Sequence, residues 1–194
     1  DAVFVEDTAL LTQECAIITI PGAPTRRNET EAVKKAVARF YPVSEEIIPP
    51  GTVEAGDIMM VGRHFYIGLS DRTNAAGAEQ VITILEKYGM TGSTIQMSEM
   101  LHLKTGMSYL ENNTLVITGE FIGRPEFKPF NTIEVPAQES YAANCLWING
   151  TVIVPKGYPV TQARIADQGY RVVETPMSEF QKLDGGLSCL SLRF

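Results

Sequence analysis

Cys189 closes the segment Asp184-Gly185-Gly186-Leu187-Ser188-Cys189, an acidic Gly-Gly turn that runs on into the apolar Leu190-Ser191-Leu192. The glycines let another molecule come close to the backbone, and nothing in the local sequence gives Asp184 a structural task. A thiol in this setting is a candidate nucleophile, although a buried cysteine is more commonly a small core hydrophobe. Two histidines, His64 and His102, are the whole supply for acid–base work, and carboxylates recur as close pairs, Glu6 with Asp7 and Glu54 with Asp57. These residue types suit chemistry on a guanidinium. Carboxylates hold the planar cation by bidentate hydrogen bonds, a thiolate attacks its central carbon, and a histidine protonates the departing amine. A free thiol titrates near about 8.5, so a neighbouring imidazolium or a bound cation must favour the thiolate. Each residue taken singly has a plainer reading. Glu6 or Asp7 caps a turn, Glu54 is a solvated residue before a glycine bend, and His102 is a structural hydrogen-bonder. The joint placement carries the chemical case.

That placement follows from a unit that recurs along the chain. An acidic or glycine-containing lead-in, an apolar strand, a short polar turn and a second apolar strand are read at 6–19, 54–70, 104–118, 142–155 and, in part, 184–194. Gly62-Arg63-His64, Asn112-Asn113 and Asn149-Gly150 are hairpin signals, the last the strongest. Helices are expected over 28–40, with Asn28 as N-cap and Pro42 as stop, over 74–88 closed by Gly89, and over 161–168 closed by Gly169. The third connection, 120–130, carries two prolines and reads as a loop with at most one helical turn. Return strands are expected at 44–48, 93–97, 131–135 and 171–175. The unit is therefore strand–strand–helix–strand. Repeated five times, it predicts a five-fold pseudosymmetric α/β propeller of ββαβ units. A generic α/β sheet whose hairpins resemble one another by chance is the competing reading. The fifth copy ends after its strand and the first starts abruptly, so the expectation is a single catalytic domain over 1–194 that lacks its N-terminal segment. In a ring, the lead-ins converge, bringing Glu6, Asp7, Glu54, Asp57, His102, Asp184 and Cys189 to one axial site.

Composition narrows the partners. A net charge of −7 without a Lys/Arg cluster argues against nucleic acid and is compatible with a cationic small molecule. No apolar run reaches the roughly 18 to 20 residues that span a bilayer. Three cysteines without paired spacing argue against a disulfide scaffold and for a reducing, cytoplasmic setting. Zinc-ligand spacings are absent from the sequence, so neither a metal nor a cofactor is expected. Cys15 and Cys145 read as mid-strand core, His64 as an exposed turn residue, and Met59, Met60, Met97 and Met100 as packing.

The motifs Phe4-Val5-Glu6-Asp7, Val53-Glu54-Ala55-Gly56-Asp57, Leu101-His102-Leu103-Lys104 and Asp184 to Ser191 resemble those of the guanidino-modifying (pentein) superfamily, and within it the dimethylarginine dimethylaminohydrolases. The resemblance runs through nearly the whole chain. It implies Cys189 as nucleophile, His102 as general acid and then base, and Asp7 and Glu54 as the grip on the guanidinium. It further implies that Arg26 and Arg72 pair with a substrate α-carboxylate, that Asp1 helps hold the α-amino group, that Glu6 is among the substrate-binding residues, and that Asp184 lies in the active-site wall. The implied reaction is hydrolysis of Nω-methylated arginine to citrulline and methylamine or dimethylamine through a covalent thiouronium, without cofactor or metal. The partner would be that small molecule, with no nucleic acid or membrane, and a homodimer is left open. The alternatives are an arginine deiminase that releases ammonia and a non-catalytic binder of arginine analogues. A Cys–His protease lacks any sign of an oxyanion hole or peptide groove.

Overall fold

The computed structural model describes residues 2–193. It divides into two compact units, Asp1–Leu103 with Cys189–Phe194 and Lys104–Ser188. In the first unit, β1 (Ala9–Leu11), β2 (Ala16–Ile18), α1 (Glu29–Val37) and β3 (Ser44–Glu46) form one copy of the repeat. A second copy is β4 (Ile58–Val61), β5 (His64–Leu69), α2 (Ala75–Lys87) and β6 (Thr91–Gln96). The second unit holds β7 (Met107–Tyr109), β8 (Thr114–Ile117) and β9 (Asn131–Glu134), then β10 (Leu146–Ile148), β11 (Thr151–Pro155), α3 (Pro159–Asp167) and β12 (Arg171–Thr175), followed by the short α4 (Ser178–Gln181). Each copy is a three-stranded sheet. Its first two strands pair antiparallel and the second pairs parallel with the third. A hairpin needs only a tight turn, whereas the parallel return needs a long crossover, which is why each copy places its helix or loop there.

Local sequence explains most element ends. Asn149 and Gly150 both take positive φ (48° and 77°), the backbone that a twist-matched two-residue hairpin requires. Asn74 caps α2, its side chain accepting from Gly77 N at 2.8 Å and Thr52 N at 3.1 Å while its amide donates to the Pro50 carbonyl. Gly89 follows α2 at φ 70°, the left-handed position that ends a helix at little cost in glycine. Strand β5 alternates Phe65 and Ile67 inward, and these pack with Ile58, Val81 and Leu85 beneath α2. Strand β8 is buried along its whole length, so its Leu115-Val116-Ile117 run is continuous rather than alternating. Val116 anchors the second unit's core with Leu110, Ile133, Val152, Val154 and Ile165.

Several expectations change. The strand expected at Cys189 is a single 3-10 turn over Ser188–Leu190, and among the described residues the fifth copy forms no strand. The backbone N–H of Ser188 is taken by the Asn144 side-chain oxygen at 2.9 Å, while the Asn144 amide donates to Ser188 Oγ, so the backbone bonds a side chain and not a neighbouring strand. Asn28 precedes α1 but makes no side-chain cap. The helix expected from 161 begins at Pro159, whose fixed φ suits the first turn. The third crossover, expected as a loop with at most one helical turn, holds two 3-10 turns, and another over Ala137–Ala143 gave no sequence signal. Cys15 and Cys145 are core residues that lie just before β2 and β10 rather than mid-strand. Met60 is 49% exposed and lies outside the buried core. His64 starts β5, half-buried, its two ring nitrogens hydrogen-bonded with Thr91 Oγ1 and Ser93 Oγ.

Replacing Asn74 with Ala removes the α2 cap and two links to the preceding loop. A loss of about 1–2 kcal/mol in denaturant-unfolding free energy is expected; an unchanged midpoint would show that the cap is redundant.

Candidate active site

The site is built from equivalent positions of successive copies, the short 3-10 turns that lead into each first strand. Glu6 and Asp7 lie in the turn Val5–Thr8 before β1. Glu54 immediately precedes the turn Ala55–Asp57 before β4. His102 immediately precedes the turn Leu103–Thr105, and all of these residues except Lys104 and Thr105 fall in the first unit. A 3-10 turn suits the task because it turns the chain inward over a few residues and delivers side chains at a defined angle.

Asp7, Glu54 and His102 meet in the interior. The imidazole Nε2 donates to Glu54 Oε2 at 2.8 Å and lies 4.0 Å from Asp7 Oδ1. The second oxygen of Glu54 accepts from Ala23 N at 3.1 Å, and Asp7 Oδ1 accepts from Gly56 N at 3.0 Å. Gly56 is required for this approach. A Cβ there would stand 2.8 Å from Asp7 Oδ1 and 3.0 Å from the His102 ring. Asp7 Oδ2 accepts from Arg26 at 2.6 Å, and the rest of that guanidinium bonds Glu29 and the Phe4 carbonyl. Glu6 accepts from Arg193 at 3.0 Å, a contact that ties the segment following Cys189 to the turn carrying Asp7.

Burial opposes charge on His102, but the Glu54 hydrogen bond and the charges of Asp7, Asp57 and Glu54 outweigh it and raise its pKa to about 9. Burial pushes Glu54 upward, yet the His102 and Ala23 hydrogen bonds and the nearby Arg72 charge leave it lowered overall. The pair is therefore an imidazolium against a carboxylate at neutral pH. One donor atom from each of Asp7, Glu54 and His102 lies within 4.8 Å of the others, a spacing that would also suit a metal ion. A charged imidazole has no lone pair to give, whereas the two carboxylates keep acceptor capacity for a planar cation.

Cys189 is a half-buried thiol outside any disulfide, in the same unit as these three. Arg72 is half-buried in the turn before α2, its backbone N donating to Ser70 Oγ at 3.0 Å. A cleft of about 590 Å³ opens beside it over Ser70, Thr73 and the 97–101 segment, and Asp7, Glu54, His102 and Cys189 are not among its lining residues.

The arginine deiminase family model matches residues 1–138. Over its full length the chain is 61% identical to the N(G),N(G)-dimethylarginine dimethylaminohydrolase of Pseudomonas aeruginosa, of which it covers 77%. The chain belongs to the dimethylarginine dimethylaminohydrolase family. A protein of the same name from Streptomyces coelicolor is 34% identical over the full chain, which covers 74% of that relative. A cysteine-to-serine mutant of the P. aeruginosa enzyme, solved in complex with citrulline, matches with a TM-score of 0.98 and 60% identity, covering all of this chain and 76% of that one. That match bears out the α/β propeller class expected from the repeat. The N-terminal domain of a cyanobacterial arginine dihydrolase shares the fold, with a TM-score of 0.89 at 20% identity over 98% of this chain and 74% of that one.

For a dimethylarginine dimethylaminohydrolase the placement of the expected residues is uneven. Asp7, Glu54 and His102 are in mutual reach, and Glu6 and Asp57 are buried beside them in the same turns. Arg26 is buried and its donors are committed to Asp7, Glu29 and Phe4. Asp184 belongs to the second unit, is exposed, and does have a structural task. At φ 58° it takes the left-handed position after α4, its N–H closing on the Gln181 carbonyl, a conformation that Asp tolerates better than most residues. Asp1 lies outside the described residues. Sequence reasoning passed over Gly56, Ala23 and Arg193. Gly56 sits inside the Glu54 motif and was the one with a readable signal.

Because His102 titrates higher folded than its ordinary value of 6.5, its pairing stabilises the fold fully below about pH 6.5, and that part is lost as pH rises through about 9. Glu54, held low, contributes in the other direction, its part being lost as pH falls below its ordinary 4.5. Unfolding free energy measured at pH 6 and pH 9.5 should fall by on the order of 2–3 kcal/mol more in the native protein than in Glu54→Gln. Parallel curves would mean that the pair is not charged.

Proposed function

We propose that the protein hydrolyses Nω-methylated arginines to citrulline and the corresponding amine, using Cys189 as nucleophile. The observation that carries this reading is the buried Asp7–Glu54–His102 cluster, supported by 61% identity to a dimethylarginine dimethylaminohydrolase along the whole chain.

Asp7 and Glu54 present carboxylate oxygens in a water-poor pocket, where bidentate hydrogen bonds orient a guanidinium and cost no reorganisation at the moment of reaction. Arg26 holds Asp7 by ion pairing and so positions one of those oxygens. We place Arg72 on the substrate α-carboxylate, because it is the more available of the two arginines. Asp1 on the α-amino group, a share of the carboxylate for Arg26, Glu6 among the substrate-binding residues and Asp184 in the active-site wall remain part of the proposal.

The Cys189 sulfur attacks the guanidinium carbon, and the C=N π electrons move onto nitrogen in a tetrahedral adduct. The bond to the methylated nitrogen then breaks as His102 transfers its Nε2 proton to it, so dimethylamine or methylamine departs neutral. The remaining S-alkylthiouronium is attacked by water, whose proton passes to the now neutral His102. Collapse of the second adduct expels the thiolate, the hydroxyl proton passes to solvent, where it protonates the released amine, and citrulline remains. A histidine with a pKa near 9 enters this cycle already protonated, as the first step demands. The substrate is a small molecule. Among the described residues no helix is long and apolar enough to cross a membrane, and three cysteines outside any disulfide agree with a reducing compartment such as the cytoplasm. The return of the Cys189 segment to the unit holding Glu54 and His102 supports treating the chain as one catalytic domain.

With asymmetric dimethylarginine, citrulline and dimethylamine should appear in equal amounts, and Cys189→Ser should reduce turnover by at least about 10³-fold. Release of ammonia from arginine at a higher rate would reassign the protein to the deiminases, and substantial residual activity in Cys189→Ser would sink the covalent route.

A further inference from the structure

Asp57 makes no bond to substrate in this mechanism, yet it is the most enclosed carboxylate of its unit, with 0% exposure. Its Oδ1 accepts the backbone N–H of Leu103, the residue after His102, at 3.0 Å. Its Oδ2 accepts the Ser70 hydroxyl at 2.7 Å, and the Thr73 side chain also hydrogen-bonds to it. Ser70 Oγ in turn accepts the backbone N–H groups of Arg72 and Thr73, at 3.0 and 3.2 Å. The Thr73 hydroxyl accepts from Glu54 N at 3.1 Å. One side chain thus joins the turn bearing Glu54, the backbone that carries His102, and the turn that presents Arg72.

The two oxygens face different tasks. An ionised carboxylate only accepts, at two ends, whereas an amide accepts at one end and donates at the other. A Ser70 hydroxyl that must donate to position 57 while accepting two backbone N–H groups has no alternative orientation. We propose that Asp57 is a positioning residue, setting His102 for proton transfer through Oδ1 and Leu103 and setting Arg72 for the substrate carboxylate through Oδ2 and Ser70. This rests on the hydrolase reading. It goes beyond that reading in predicting that proton transfer and substrate anchoring are separable at one carboxylate.

The charged groups around the imidazole are Glu54 in direct contact, Asp7 at 4.0 Å and Asp57, with Arg26 behind Asp7 and Arg72 acting on Glu54. Burial outweighs the other influences and leaves the Asp57 carboxyl raised overall, although the His102 charge, the Ser70 and Thr73 side chains and the Leu103 N–H favour its ionised form. Removing that charge lowers the proton affinity of His102, and Asp7 and Glu54 continue to hold it up.

The test compares Asp57→Asn and Ser70→Ala with the native full-length protein. It uses steady-state kinetics on asymmetric dimethylarginine across pH, and NMR titration of His102 as a readout independent of turnover. Asp57→Asn should lower kcat roughly tenfold or more and move both the basic limb of the rate profile and the His102 titration to lower pH. Ser70→Ala leaves the Leu103 link intact. It should raise KM several-fold, with kcat within about twofold and the His102 titration unmoved. A fall in melting temperature with unchanged kcat and pH profile in Asp57→Asn would overturn the proposal, as would a Ser70→Ala variant that loses kcat at constant KM. If Asp57→Asn does not fold, the split in Ser70→Ala decides. Absence of turnover in the native protein, with the His102 shift still present in Asp57→Asn, would refute the hydrolase reading and leave the positioning of His102 standing.

Discussion

Four carboxylates, Glu6, Asp7, Glu54 and Asp57, are withdrawn almost completely from water within one unit, and an ionised carboxylate in such surroundings is costly unless each is met by charge or by several donors. The partners come from widely separated parts of the chain. Arg26 and Gly56 N meet Asp7, His102 and Ala23 N meet Glu54, Arg193 meets Glu6, and Ser70, Thr73 and Leu103 N meet Asp57. Removing one partner leaves a buried carboxylate oxygen unmatched, so the lead-in turns are bound to one another by necessity. The apolar sheets supply the bulk of the burial, and the carboxylates dictate the register in which the turns meet.

The same constraint prepares the chemistry. A cluster of acids already desolvated and oriented suits a planar cation, and Asp7 and Glu54 still have acceptor capacity. Placing three acids around one imidazole stores a proton on it at neutral pH. In the proposed cycle that makes His102 a ready acid in the first half and, once discharged into the leaving amine, a base in the second. On that proposal structural and catalytic demands coincide at Glu54, whose one bond to His102 serves both.

The repeat explains why residues separated by about fifty positions act together. Each copy leads into its first strand through a short 3-10 turn, and Asp7, Glu54 and His102 lie in or immediately before three successive turns, so an acid, an acid and a histidine arrive as a set. In the second unit the corresponding position before β10 carries Asn144, whose side chain binds Ser188 and the Lys104 carbonyl. There the position anchors the chain just ahead of Cys189 rather than holding a charge.

Period, hairpin chemistry and helix caps were readable without coordinates, because they are local. Asn149-Gly150 needs its own positive φ, Asn74 caps its own helix, and apolar alternation in β5 is set by the pleat. The candidate set of Asp7, Glu54, His102 and Cys189 was legible for a related reason, since a repeat converts sequence position into spatial position. What sequence did not contain was the direction of side chains and the occupancy of their donors. Arg26 and Arg72 look alike as basic residues ahead of helices, yet one is spent on Asp7 and Glu29 and the other is half-buried in a turn. Asp184 resembles a functional acid and serves a left-handed turn, while Asp57 resembles a spare partner of Glu54 and ties three segments together. The Cys189 segment reads as a strand by its apolar residues and folds as a 3-10 turn, because Asn144, forty-four positions from Ser188, takes the hydrogen bond that a strand would have used. Local propensity determined the elements; long-range competition for buried hydrogen bonds, visible only in the tertiary structure, decided which polar residues act and which merely hold the fold.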